Sequence, residues 1–223
     1  MQHKPSIDAT FSSSQTGVEV NKVLKNTYML LGMTLLFSAL TASIGMAINL
    51  SHMASLVCML GAFGLLFVVN KTADSGKGII AIFAFTGLMG LSLGPMLTYY
   101  MAMAHGPALV LKALGGTAII FFGLSGYALV SRKDFSFMGG FLFVGLLVAV
   151  IASVANIFFQ IPALSLAVSS AIILIMSGLI LFDTSRIIHG GETNYIRATV
   201  SLYLNIYNLF VHLLHLLGVM SND

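Results

Sequence analysis

Seven apolar runs dominate this sequence and constrain its fold more than any other feature. They lie at about residues 27–49, 53–70, 79–103, 107–130, 136–159, 163–188 and 196–218, and short polar or Gly- and Pro-containing segments separate them. A helix needs about 20 consecutive apolar residues to cross a bilayer, and each run meets that length. We therefore predict an all-α, polytopic integral membrane protein with seven transmembrane helices.

The composition excludes a water-soluble domain and narrows the partners. Hydrophobic residues make up 58% of the chain and charged residues only 8%, whereas about a quarter of an ordinary soluble domain is charged. The basic residues are dispersed, so the small positive net charge does not indicate nucleic-acid binding, and the predicted environment is the lipid bilayer. The single cysteine, Cys58, excludes an intramolecular disulfide and a Cys-rich metal site.

The distribution of basic residues predicts the orientation. If the spans alternate in direction, nine of the ten Lys and Arg residues fall on one side of the membrane, and only Lys112 falls on the other. The nine are Lys4, Lys22, Lys25, Lys71, Lys77, Arg132, Lys133, Arg186 and Arg197. Because basic loops stay in the cytoplasm, we expect a cytoplasmic N-terminus and, with seven spans, an outer C-terminal end at residues 219–223.

The segment before the first span is polar. We predict a disordered cytoplasmic tail over residues 1–15, followed by a short interfacial helix over residues 16–26, where Thr16 and Glu19 have the spacing of a capping box. The transmembrane domain then covers residues 27–218. The tail, including Ser12, Ser13 and Ser14, is a candidate for binding a partner protein; the alternative is an ordinary frayed terminus.

Asp183 is the main candidate for a functional group inside the membrane, because charged residues there are costly and usually have a role. One interpretation is an interfacial pair with Arg186, three positions further along the same helix. The other places Asp183 in the bundle interior. There it could meet Asn205 and Asn208, which share one face of the last span. The two amides could alternatively form interhelical hydrogen bonds that hold the bundle together.

Other motifs give little support for enzyme chemistry. His212 and His215 are three residues apart and could in principle bind a metal, but no third ligand or carboxylate accompanies them. We interpret them as a polar stripe and expect no metal and no cofactor. No nucleophile elbow, Walker loop or dinucleotide-binding motif is present in the sequence. We therefore expect a protein that is not an enzyme.

Two segments near the end of the chain have a distinctive sequence: residues 177–195, SGLILFDTSRIIHGGETNY, and residues 198–210, ATVSLYLNIYNLF. They resemble the Bax inhibitor family, also called the transmembrane Bax inhibitor motif family. Residues 85–95 and 131–137 are similar to a bacterial branch of that family, and the whole resemblance covers about residues 18–220. It implies a bundle with a central helix surrounded by the others, located in the inner membrane of a bacterium.

The resemblance implies two functions. The bacterial branch modulates the FtsH protease, which pulls its substrates from the cytoplasmic side, so the chain is expected to regulate FtsH and could also be its substrate. Family members of the calcium-leak type use two aspartates on the last two helices. Asp183 matches the first, but Asn205 occupies the second position and cannot titrate. The alternative function is a pH-influenced calcium or cation leak near Asp183, and a secondary transporter is a third possibility.

Overall fold

Helices account for all the regular structure in the part of the chain that the computed structural model describes, residues 7–221, with side chains from residue 18 onwards. The α-helices are α1 (Ile7–Ala47), α2 (His52–Thr72), α3 (Lys77–Ser92), α4 (Gly94–Met101), α5 (Gly106–Ser131), α6 (Gly139–Phe159), α7 (Pro162–Ile188) and α8 (Tyr195–Met220). A short 3-10 helix, Ser136–Met138, precedes α6. Among the described residues, seven helical segments are long and apolar enough to cross a membrane, which confirms the predicted fold class.

The third span consists of two helices rather than one. Helix α3 ends at Ser92, and α4 begins at Gly94 with Pro95 in its first turn. Proline lacks a backbone N–H and favours a helix start, so the break follows from the sequence. At this point Gly94 lies against Gly45 of α1, and a Cβ added to Gly94 would lie 2.7 Å from a backbone carbon of Gly45. Two glycines therefore allow α1 and α4 to pack with their backbones in contact.

The N-terminal helix differs from the predicted arrangement. Helix α1 begins at Ile7 and continues to Ala47 without a break, so residues 16–26 belong to the same helix as the first span. Residues 7–15, which we predicted to be part of a disordered tail, are helical, and Thr16 does not mark a helix start. A helix can propagate outwards from a stable apolar segment, whereas the capping signal is purely local. The predicted tail over residues 1–6 lies outside the described residues.

Helix α8 lies in the centre of the bundle. It packs against α1, α2, α3, α5 and α7, and its Leu202, Leu209 and Leu214 side chains are completely buried. In contrast, α2 and the span that contains α6 are the least buried of the seven spans. In the most apolar 18-residue stretch of each, only 11% of the residues are buried. Their exposed apolar side chains are the surface expected to face lipid tails. The described structure thus has the central helix that the family resemblance implied.

The connecting segments fall into two groups at opposite ends of the bundle. We call the end with residues 73–76, 132–135 and 189–194 the basic end, because basic residues flank these connections. The other end, with residues 48–51, 102–105 and 160–161, is called the far end. If α8 is followed along its length, Asn205 lies nearer the basic end, and His212 and His215 lie towards the far end.

Candidate functional site

Asp183 and Asn205 meet inside the bundle. Asp183 is on the last turns of α7 and Asn205 is on the adjacent α8, which returns after a short connection. The Asn205 Nδ2 donates a hydrogen bond of 2.7 Å to Asp183 Oδ2, and Asn205 is only 5% exposed. A carboxylate in an apolar environment needs such partners, because an unpaired charge there is strongly unfavourable.

Arg186 does not pair with Asp183 in the described structure. Its guanidinium Nη2 lies 3.9 Å from Glu192 Oε2 and donates to the carbonyl oxygen of Gly191 at 3.3 Å. The guanidinium also lies 5.6 Å from the ring centroid of Phe182, a cation–π distance. The structure therefore joins Asp183 to Asn205 rather than to Arg186. Whether any of these residues conducts or senses ions stays a prediction.

The other polar residues of α8 have separate partners. Asn208 donates to the carbonyl of Leu204 in its own helix at 2.8 Å, so it does not share the role of Asn205. The Tyr203 hydroxyl bonds the Ser38 hydroxyl of α1 at 2.7 Å and reaches the Thr86 carbonyl of α3 at 3.4 Å. These contacts tie the central helix to two other spans. Sequence periodicity could identify Tyr203 as a polar residue but not which helix its hydroxyl meets.

A second group of hydroxyls lies beside Asp183. Thr184, the next residue of α7, lies with its Oγ1 3.2 Å from the Ser125 Oγ of α5. Ser125 also contacts the Tyr28 hydroxyl of α1. Ser125 and Thr184 are almost fully buried, so each hydroxyl satisfies the other without water. This group joins α1, α5 and α7 at the level of the Asp183–Asn205 pair, and the sequence analysis did not single it out.

Asn194 connects two segments at the basic end. Its Oδ1 accepts hydrogen bonds from the backbone N–H groups of Ile196 and Arg197 at 2.9 and 3.1 Å, which caps the start of α8. Its Nδ2 donates to the Ala73 carbonyl at 2.9 Å and to Asp74 Oδ1 at 2.8 Å. One amide side chain thus caps the central helix and fixes the α2–α3 connection to it. The N-cap role of an asparagine before a helix can be predicted from the sequence, but its contact with Ala73 cannot.

Charged groups surround this connection at the basic end. Arg197 lies 3.6 Å from both the Asp74 and the Glu192 carboxylates. In the α5–α6 connection, hydrogen bonds from the hydroxyl and backbone N–H of Ser136 lower the pKa of Asp134. The same connection is held to the end of α7, because Ser185 Oγ accepts from the N–H of Phe135 at 3.0 Å. Hydrogen bonds and ion pairs therefore hold the connections at the basic end to neighbouring segments.

His212 and His215 have hydroxyl partners at the far end. His212 Nδ1 lies 3.2 Å from Ser169 Oγ, and the two ring nitrogens of His215 contact Ser165 and Tyr100 at 2.9 and 3.3 Å. Both imidazoles line a cavity of about 450 Å³. Among the described residues, no group of three or more His, Cys, Asp or Glu residues is arranged to hold a metal ion. The two imidazoles thus contact hydroxyl groups of α7 and α4, and the role of His212 and His215 as a polar stripe stays a prediction.

The predicted partner-binding residues Ser12, Ser13 and Ser14 lie in the N-terminal part of α1. The described side chains begin only at residue 18, so the structure assigns these serines no contacts. Their proposed role depends on the segment as a whole, which precedes the first span, rather than on any particular hydroxyl.

Comparison with known proteins identifies the family. The family profile described as "Inhibitor of apoptosis-promoting Bax1" matches residues 20–222. The Escherichia coli K12 protein named "Modulator of FtsH protease YccA" is 53% identical over 206 residues, which cover 92% of this chain and 94% of that protein. Its counterpart in a second Escherichia coli strain is named "Inner membrane protein YccA". A Vibrio cholerae protein named "Uncharacterized membrane protein" is 53% identical over 213 residues, 95% of this chain and 96% of its own length. With the profile match extending over almost the whole length and relatives this similar, the chain belongs to the Bax inhibitor family.

Proposed function

We propose that this protein modulates the FtsH protease from the bacterial inner membrane, and that FtsH engages it through the N-terminal segment. The observation that carries the proposal is the 53% identity, over nearly the full length of both chains, to a protein named modulator of FtsH protease. The seven spans and the relative's description as an inner membrane protein support the location.

The position of α1 supports access from the cytoplasm. The Thr199 hydroxyl, near the start of α8, lies 3.3 Å from the backbone carbonyl of Thr27, so the N-terminal half of α1 is at the basic end of the bundle. Lys22 and Lys25 are exposed there. Because basic ends stay on the cytoplasmic side, the N-terminal segment belongs in the compartment from which FtsH pulls its substrates.

The length of α1 supports a segment that projects from the membrane. Helix α1 has 41 residues, which at 1.5 Å per residue corresponds to roughly 60 Å. The hydrocarbon core of a bilayer is only about 30 Å thick. The excess lies on the side of Ile7, since the far end of α1 stops at Ala47. Residues before the first span are thereby available as a handle for the protease.

Contacts of α1 within the bundle support slow extraction. A force applied to the N-terminal segment acts first on α1, which is tied to α8 by the Ser38–Tyr203 hydrogen bond and to α5 by the Tyr28–Ser125 contact. Each such contact contributes about 0.5–2 kcal/mol in a membrane, and the backbone contact of Gly45 with Gly94 adds close packing. A protein that is held but not readily extracted would occupy FtsH and slow the degradation of other clients.

Deletion of residues 2–15 tests the handle. We would isolate proteolytically inactive FtsH from cells that express the full chain, the deletion variant, or a control lacking residues 221–223 at the opposite terminus. The proposal predicts that the full chain and the C-terminal control co-purify with FtsH and that the N-terminal deletion does not. Equal recovery of all three proteins would reject the handle, and recovery of none would reject the interaction with FtsH.

A cation leak near Asp183 is the second candidate function. The observation in its favour is the Asp183–Asn205 contact within the membrane-spanning part of the bundle, because a carboxylate and an amide oxygen are both acceptable ligands for a hard cation. Purified protein in liposomes loaded with a calcium indicator tests it. Calcium flux that disappears with Asp183→Asn but persists with Asn208→Ala would support the leak. Liposomes without flux would reject the leak, and modulation of FtsH would then be the remaining proposed function.

A further inference from the structure

A lateral cavity lies between α1 and α5, separate from the Asp183–Asn205 pair. Its volume is about 360 Å³, and we call it the α1–α5 cavity. Its inner wall is formed by α8, through Tyr203, Ile206, Tyr207 and Phe210. Leu93, between α3 and α4, and Leu97 of α4 close one side. The lining is predominantly aliphatic and aromatic, with no charged side chain among the residues that form it.

The cavity is continuous with the lipid-facing surface. Helices α1 and α5 each pack against α4 and α8, but in the described part of the chain they make no extensive contact with each other. The residues at this gap are exposed: Ala39 on α1 and Leu114 on α5, the latter 51% exposed. In a bilayer, an opening between two spans at this position faces acyl chains rather than water.

The hydroxyl groups on the cavity wall already have partners. Tyr203 bonds Ser38, Tyr207 lies 3.2 Å from Ser92, and Thr117 donates to the Ala113 carbonyl at 2.7 Å. A buried water requires two to four polar partners, which this wall does not offer. An empty space of this size would also be unfavourable, because the cost of a void increases with its volume. Both arguments favour a hydrocarbon occupant.

The depth of the cavity matches one leaflet. On α1 it extends from Leu35 to Met46, a rise of roughly 16 Å at 1.5 Å per residue, which is about half of a hydrocarbon core of roughly 30 Å. Met46 and Met101 lie at the far end, where α1 and α4 stop. The cavity thus begins near the headgroups of the far-end leaflet and ends near the middle of the membrane, beside Tyr203.

We propose that the α1–α5 cavity binds one acyl chain of a phospholipid from the far-end leaflet. The bound chain fills the gap that α1 and α5 leave on the far-end side of the Tyr28–Ser125 contact, and it touches the central helix directly. It lies against Tyr203, whose hydroxyl ties α8 to α1. The lipid is therefore a structural component of the bundle rather than part of a uniform solvent around it.

Photolabelling tests this site on the full protein. The protein is reconstituted in nanodiscs that contain a phosphatidylethanolamine with a diazirine on one acyl chain, irradiated, and analysed by peptide mass spectrometry. We expect adducts concentrated on α5 at residues 110–117 and on α8 at residues 203–210. Moving the diazirine from the carboxyl end of the acyl chain to its methyl end should shift the adducts from the level of Met101 towards that of Tyr203.

Matched variants separate the site from general lipid exposure. Ala39→Phe places a ring in the mouth of the cavity and should cause a several-fold loss of these adducts, whereas Leu40→Phe, on the adjacent lipid-facing position of α1, should not. If Ala39→Phe does not fold, Leu114→Phe with Leu111→Phe as its control makes the same comparison from α5. Equal labelling of variant and control would overturn the proposal, as would adducts spread in proportion to exposed surface. Crosslinks between two copies of the chain at this gap would also overturn it, by showing a protein occupant.

Discussion

Asn205 donates a 2.7 Å hydrogen bond to Asp183, and the two residues join the last two spans at a buried position. Asn208, one turn further along the same helix, bonds its own backbone instead. The two amides share one helical face but have different roles: one is an interhelical contact, and the other is satisfied locally. This difference allows a matched test.

Asn205→Ala is expected to destabilise the protein by about 1–3 kcal/mol, because it leaves the Asp183 carboxylate without this donor in an apolar environment. Asn208→Ala removes only a bond within α8 and should change stability by less than about 0.5 kcal/mol. Thermal unfolding in detergent measures both variants. Equal shifts for the two would show that the contact with Asp183 does not contribute to stability.

The Gly45–Gly94 contact gives a second prediction. A methyl group on Gly94 would overlap the backbone of α1, so Gly94→Ala should destabilise the bundle by about 1–3 kcal/mol through overpacking. The control is Gly64→Ala on α2, where an added Cβ has no neighbour within 4 Å. There the substitution should be neutral or should stabilise the helix by about 0.5–1 kcal/mol. A thermal shift of the same sign for both would contradict close packing at Gly94.

Sequence patterns were sufficient for the spans and drew attention to Asp183, but they did not decide its partner or predict its surroundings. The length of the apolar runs is a property of the chain alone, so seven spans could be counted from it. The distance between Ser125 and Thr184, or between Asn194 and Ala73, depends on how distant segments pack. The predicted helix start at residue 16 was wrong for a related reason. The local signal at Thr16 does not limit a helix that continues outwards from an apolar span.

The basic end depends on Asn194, which makes a third prediction. Asn194→Ala removes the N-cap of α8 and the bonds to Ala73 and Asp74, and it should cost about 1–2 kcal/mol from the cap alone. Asn70→Ala is the control, because Asn70 donates only to Leu66 in its own exposed helix turn. Limited proteolysis from the basic side should cleave the α2–α3 connection faster in Asn194→Ala than in Asn70→Ala. Identical cleavage would mean that Asn194 does not hold this connection.

The tie between α1 and α8 should control extraction by FtsH. Ser38→Ala and Tyr203→Phe each remove one hydroxyl of the same hydrogen bond, so a double-mutant cycle should give a coupling of about 0.5–2 kcal/mol. Both variants should be degraded faster than wild type in cells with active FtsH. Ser43→Ala serves as the control, since Ser43 donates only to Ala39 in its own helix. If Ser38→Ala is degraded at the same rate as this control, the α1–α8 hydrogen bond does not limit extraction by FtsH.

The half-life of an independent FtsH membrane client, measured by pulse-chase while the level of this protein is raised, tests the central claim most directly. If the protein occupies FtsH through its N-terminal segment, the client's half-life should lengthen as the full chain accumulates and should not change when the variant lacking residues 2–15 accumulates to the same level. A client half-life that does not respond to the full chain would contradict modulation of FtsH.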